Sequence, residues 1–221
     1  MTKMGQLVEL RRRKLTEKDL IRMRLPKRYW EVNCDGVSDV SDSKEGKSPR
    51  DILTRYLRQI ESMREQGLGM LLWGANGTGK TSIAAIIAKE YRRRFNPVLF
   101  IEAASLKSLV VSKEHFDEDE TYWQRAMSVD VLVLDDLGKG TQDSTGFGER
   151  LIDELIRTRN ANKLVTIITT NAVPRGKGEA LTDILKPSTL HSLKEHVMAI
   201  HVRGVDQREE IYKKAIRQIA D

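Results

Sequence analysis

The sequence predicts an α/β fold: a parallel sheet covered by helices on both faces. Three observations point to it. Short, continuous apolar runs occur at 70–73, 98–101, 131–134, 164–170 and 197–202, the pattern of strands buried on both faces. Segments of helical periodicity separate these runs, as parallel strands joined by crossover helices require. A glycine-rich stretch, Gly74 to Ser82, stands between the first run and the helix-like Ile83-Ala84-Ala85-Ile86-Ile87-Ala88, and an open α/β sheet places such loops at its strand ends.

In chain order, residues 1–28 form a basic arm with a helical stretch. Thr16-Glu17-Lys18-Asp19 has the form of a capping box ahead of Leu20, Ile21 and Met23, and Pro26 is expected to end that helix. Residues 33–48 are rich in Ser, Asp, Gly and Lys and read as a linker. The expected division is therefore an arm and linker over 1–48 and a core over 49–221. A helix starts at Pro49 with Ser48 as its cap. It carries Ile52, Leu53, Tyr56, Leu57, Ile60 and Met63 on one face and stops at Gly67. A last helix is expected over 206–220.

The chain of 221 residues carries a net charge of +6. Residues 1–28 hold ten Lys/Arg and three Asp/Glu, so the arm accounts for all of the excess. Arg11-Arg12-Arg13-Lys14 can meet nucleic-acid phosphates or an acidic partner, or be a solvated helix face. No apolar stretch reaches the roughly 18 to 20 residues that span a bilayer, and no apolar signal core follows the basic N-terminus. A cytoplasmic protein without membrane contact is expected. The one cysteine, Cys34, cannot build a disulfide framework or a cysteine-based zinc site.

Gly74-Ala75-Asn76-Gly77-Thr78-Gly79-Lys80-Thr81 fits G-x-x-x-x-G-K-[ST] between a strand and a helix. Glycines let successive backbone N–H groups face one concavity, and the helix N-terminus adds positive potential there. Such a loop, continued by Ser82, cradles the phosphates of ATP. Lys80 reaches the terminal phosphates, and the Thr81 hydroxyl ligates Mg²⁺. Val131 to Asp136 is an apolar strand ending in two acids. Asp135 is expected to orient the Mg²⁺ and Asp136 to polarise a water for attack on the γ-phosphate. Asn171, at the end of the β-branched strand Thr166 to Thr170, is placed to hold that water or a phosphate oxygen. Catalysis is thus assigned to Lys80, Asp136 and Asn171. Trp73 reads as a core residue at a strand end rather than a base-stacking group. His115, Phe116, Tyr122 and Trp123 fall in an acidic surface excursion, with DNA stacking by Tyr122 or Trp123 the alternative.

These motifs resemble the DnaC/IstB-type branch of the AAA+ ATPases, which includes bacterial and phage helicase loaders and the ATPase subunits of certain transposons. The matching segments are "LPKRYWEVN" (25–33), "GANGTGKTS" (74–82), "VLVLDDLG" (131–138), "ERLIDELIRTRNANKLVTIITTN" (149–171) and "HVRGVDQRE" (201–209). The resemblance implies an AAA+ core with a five-stranded parallel sheet of order 5-1-4-3-2, ATP-driven homo-oligomerisation, and engagement of a replicative DNA helicase and single-stranded DNA.

The departures from that pattern are specific. Family members carry a trans-acting arginine in the segment that here reads Pro187-Ser188-Thr189-Leu190-His191-Ser192-Leu193-Lys194, and no arginine stands there. His191 and Lys194 lack a bidentate guanidinium, so weak intrinsic turnover or a donated arginine is expected. Arg159 matches the arginine of the family's pre-sensor helix, with a role at a subunit interface or within the fold. A small helical lid is not evident. Two alternatives to a loader remain: an IstB-type transposition ATPase acting on duplex DNA with a transposase, and a nucleotide-dependent scaffold or inhibitor with little hydrolysis. A metabolic P-loop kinase fits the double-acid strand end less well.

Overall fold

The computed structural model describes residues 13–37, 39–40, 48–113, 115–117, 120–138, 141, 144–173, 180–206 and 216. Arg11, Arg12 and nearly all of the expected C-terminal helix lie outside the described residues. Five parallel strands, β1 (Gly69–Trp73), β2 (Val98–Glu102), β3 (Val131–Leu137), β4 (Val165–Thr170) and β5 (Val197–His201), stand in the order β2-β3-β4-β1-β5. Read from the other edge, this is the expected 5-1-4-3-2.

Successive strand residues point to opposite faces, and each face has its own core. Met70, Leu72, Val98, Phe100, Val131, Val133, Val165 and Ile167 belong to one cluster; Leu71, Leu99, Ile101, Leu132, Leu134 and Ile168 belong to the other. The first face is covered by α2 (Pro49–Arg58), α3 (Ile60–Gln66) and α4 (Lys80–Arg93), with help from α1 (Glu17–Arg22). The second is covered by α5 (Leu106–Val111), α6 (Tyr122–Ser128), α7 (Phe147–Ala161), α8 (Leu181–Ile184) and α9 (Pro187–His196). The small side chains Ala84, Ala85 and Ala88 let α4 lie close to the sheet, and all three are fully buried.

Two local expectations are corrected. The helix beginning at Pro49 has the predicted Ser48 capping box but breaks at Gln59 into α2 and α3 before stopping at Gly67. The arm helix has its Thr16/Asp19 capping box but ends at Arg22, well before Pro26. Pro26 instead leads a single 3-10 turn at Lys27–Tyr29. Residues from the presumed arm and linker pack with the core: Leu20, Met23, Leu25, Tyr29 and Val37 are buried in the first cluster. Met23 accepts from the Phe100 amide at 2.8 Å, so the segment lies along the β2 edge. Packing thus runs across the boundary anticipated near residue 48.

Among the described residues no helix is long and apolar enough to cross a membrane.

Candidate nucleotide site

The strand ends of β2, β3 and β4, the loop that follows β1 and the start of α4 open onto one cavity of about 650 Å³. Nine of the anticipated site residues line it: Asn76, Gly77, Gly79, Lys80, Thr81, Ser82, Asp135, Asp136 and Asn171. Gly74, Ala75 and Thr78 shape the loop from behind. Gly74 has φ 147°, and a Cβ there would fall 2.4 Å from the Val202 carbonyl oxygen. Gly77 has φ 74°, and a Cβ would overlap the Asp206 carboxylate. Only glycine fits either position. The Thr78 hydroxyl donates to the Ala75 carbonyl at 3.0 Å, tightening the turn. Gly79 then caps α4, whose first turn carries no acid, so the positive helix end faces the cavity undiluted.

Lys80 is 7% exposed, and its Nζ donates to the carbonyls of Gly74 (3.0 Å) and Ala75 (2.6 Å). The ammonium is thus held at the loop, where phosphate oxygens can replace the carbonyls as acceptors.

The two acids are set apart by a strand irregularity the sequence did not reveal. β3 runs on to Leu137, and its register against β4 shifts between Leu134 and Leu137. Asp136 takes φ 55° at that bulge, in the left-handed region. Asp135 stays buried while Asp136 turns outward. The Thr169 hydroxyl joins them: it donates to Asp135 Oδ1 at 2.6 Å and accepts from the Asp136 amide at 2.9 Å. Burial raises the Asp135 pKa above the usual carboxylate value, against hydrogen bonds from Thr169 and Thr81 that lower it. Asn171 Nδ2 donates to Asp136 Oδ1 at 3.2 Å. The structure therefore brings Thr81 to Asp135 and Asn171 to Asp136, as two adjoining pairs.

A hydroxyl and a carboxylate side by side form a hard oxygen pair suited to Mg²⁺, which takes one or two protein oxygens and fills its remaining positions with water and phosphate. Thr81 and Asp135 are the residues that would hold it. Among the described residues no cluster of three or more His, Cys, Asp or Glu forms an all-protein metal cage.

Sequence reasoning missed Thr169 as the connector, and it missed a whole wall. Arg24, Pro26, Arg28, Tyr29 and Val32 line the cavity from the N-terminal segment, and Glu102 and Ser105 from the end of β2. The signal for residues 26–32 was present in "LPKRYWEVN", which is read in the sequence as a family-matching segment and not as part of the site.

Other residues are settled by their contacts. Arg159 is completely buried; it donates to the carbonyls of Ala126, Val129 and Val165 and to the Thr166 hydroxyl at 2.7–3.0 Å. Burial pushes its pKa down to about 9. Of its two expected roles, this is the one within the fold. His191 sits exposed on α9, 3.5 Å from Glu195. The guanidinium groups of Arg22 and Arg125 each lie 5.0 Å from the centre of the Phe116 ring. Tyr122 lies 4.3 Å from that of Arg24, and Trp123 packs on the second core. Phe116, Tyr122 and Trp123 are thus half-buried and in contact with neighbouring side chains, while His115 is exposed. Trp73 stacks on His201 with ring centres 3.7 Å apart and planes within 4°, and His201 Nδ1 accepts from Arg203 Nε at 2.9 Å.

Residues 70–184 match the model of the ATPase family associated with various cellular activities (AAA). The chain is 24% identical over 204 residues to Protein CdcH of Halobacterium salinarum, covering 86% of this chain and 25% of that protein. It is 26% identical over 147 residues to the replicative helicase loader DnaC of Escherichia coli K12, covering 65% of this chain and 54% of DnaC. The chain thus spans a quarter to about half the length of these curated relatives. A crystal structure of the DnaC helicase loader superposes with TM-score 0.65 at 24% identity, covering 80% of this chain and all of that one.

Proposed function

Because the chain belongs to the AAA family of ATPases, we propose that its cavity binds and hydrolyses ATP and that the protein acts as a loader of a replicative helicase during replication initiation. The observation that carries the enzymatic part is the pairing of Thr81 with Asp135 and of Asn171 with Asp136 at the mouth of one phosphate loop. The loader assignment draws on the likeness to DnaC.

ATP enters with its phosphates on the amides of 76–82, and Lys80 exchanges loop carbonyls for terminal phosphate oxygens. Thr81 and Asp135 are the residues that would hold Mg²⁺, which would neutralise phosphate charge. Asp136, outside the strand plane at its left-handed turn, accepts a proton from water in line with the γ-phosphate. Asn171 orients Asp136 and the water. Thr169 keeps Asp135 and Asp136 in separate roles, since its one hydroxyl serves both. Turnover by the single chain is weak, because α9 supplies no arginine to a neighbour's site. ATP drives assembly into a homo-oligomer that engages single-stranded DNA and the helicase.

Asp136→Asn should bind ATP within about threefold of wild type and lose at least about 100-fold in hydrolysis, the scale of a general-base contribution. Held in that state and incubated with purified replicative helicase, it should retain the helicase on a column in ATP and release it without nucleotide. Normal hydrolysis by the variant would remove Asp136 from its role. Retention of a transposase on duplex DNA and not of the helicase would establish the IstB-type reading instead.

A further inference from the structure

Lys89 is a buried cation with no place in the phosphate site. It lies on α4 nine residues after Lys80, about 13.5 Å along the axis at about 1.5 Å per residue, and is 4% exposed. Its Nζ donates to the carbonyls of Tyr29 (3.2 Å), Trp30 (2.8 Å) and Val32 (2.5 Å). An ammonium has three N–H donors and no acceptor, so these carbonyls match its full capacity. Burial pushes its pKa down to about 8, with Arg93 acting the same way and Glu31 against it. A leucine would fill a buried helix position at far lower desolvation cost. What only the ammonium can do is fix three carbonyls of an irregular backbone.

That backbone belongs to a wall of the cavity that the phosphate loop also lines, with Pro26, Arg28, Tyr29 and Val32 contributing from it. Trp30 Nε1 donates to the Leu25 carbonyl at 2.9 Å, folding the segment on itself, and Lys89 ties the folded segment to α4. The wall's aromatic and apolar members suit a base and sugar, whereas the loop is built for phosphates. We infer that Lys89 is a positioning residue for nucleotide binding: it holds residues 29–32 where they contact the nucleoside end of ATP. The inference rests on the ATP reading above. Lys89 touches no ligand atom, and its effect passes entirely through the wall it anchors.

The test compares two ligands on the full chain, ATP and inorganic tripolyphosphate, which has the phosphates but no nucleoside. Lys89→Met should raise the Kd for ATP about tenfold, equivalent to about 1.4 kcal/mol, and leave the Kd for tripolyphosphate unchanged. Lys89→Gln, which keeps two N–H donors, should fall between wild type and Lys89→Met. It carries the test if Lys89→Met does not fold, because the ratio of the two constants is independent of the folded fraction. Equal losses for both ligands, or no loss for either, would overturn the assignment. Lys80→Ala, run alongside, should weaken both ligands. If it weakens neither, the ATP reading itself fails, a result distinct from failure at Lys89.

Discussion

The Asp19 carboxylate accepts from the two terminal guanidinium nitrogens of Arg13, Nη1 and Nη2, and from Arg92 at 2.8 Å, and also from the Thr16 amide and hydroxyl. The Arg13 hydrogen bonds hold its pKa well below the usual carboxylate range. A carboxyl whose folded pKa is depressed stabilises the fold fully above its unfolded pKa of 3.8 and loses that contribution as pH falls toward the folded value. Asp19→Asn should therefore cost about 2 kcal/mol at neutral pH, the scale of charge-assisted hydrogen bonds. In urea titrations the gap to wild type should stay constant from about pH 7 to 5 and close below about pH 4. A gap that widens with acid would contradict the assignment. Arg159 poses a different case, because its charge is solvated by carbonyls and a hydroxyl. Arg159→Met leaves those acceptors buried and unmatched and should cost about 3 kcal/mol or more, read as a lower urea midpoint. The surviving folded fraction should bind ATP with unchanged affinity, since Arg159 does not line the cavity.

Among the elements, the phosphate loop is pinned from outside as well as within. The Val202 amide donates to the Trp73 carbonyl at 2.8 Å, and the Val202 carbonyl crowds Gly74. Gly74→Ala should thus combine a clash and an unfavourable φ, reducing ATP affinity at least about tenfold and stability by about 1–3 kcal/mol, measured by titration calorimetry and thermal melting. This loop was fully legible in the sequence, because its glycine spacing is local and its flanks change period from strand to helix. The five strands were legible for the same reason. The continuation of β3 through Asp135 and Asp136 was not, since two acids in succession do not look like buried strand and a bulge leaves no compositional mark. The break at Gln59 has no glycine or proline to announce it. The wall at 24–32 escaped notice because its anchor, Lys89, lies 57 to 60 residues away in the chain, and charge counting grouped Arg24, Lys27 and Arg28 with the basic arm.

At the scale of the whole molecule, the first core begins well before α2. Leu20, Met23 and Leu25 are each under 10% exposed, and truncating a buried aliphatic costs about 2–5 kcal/mol. Removal of 1–28 should lower the melting temperature by about 15 °C or more, as scanning calorimetry would show, whereas removal of 1–12 keeps all of these buried side chains. A loss of partner binding on the longer deletion would then report unfolding as much as a lost contact. The shorter deletion, which spares Arg13 and its pairing with Asp19, is the informative one for the role of the basic terminus. The ring of Trp73 lies against His201 at the one bond joining β1 to the phosphate loop. Indole emission responds to the imidazole stacked on it, so the protein has an optical gauge at the hinge of its own ligand loop. Any rearrangement of that loop that tilts the stack will change the colour or yield of its ultraviolet fluorescence, with no label attached.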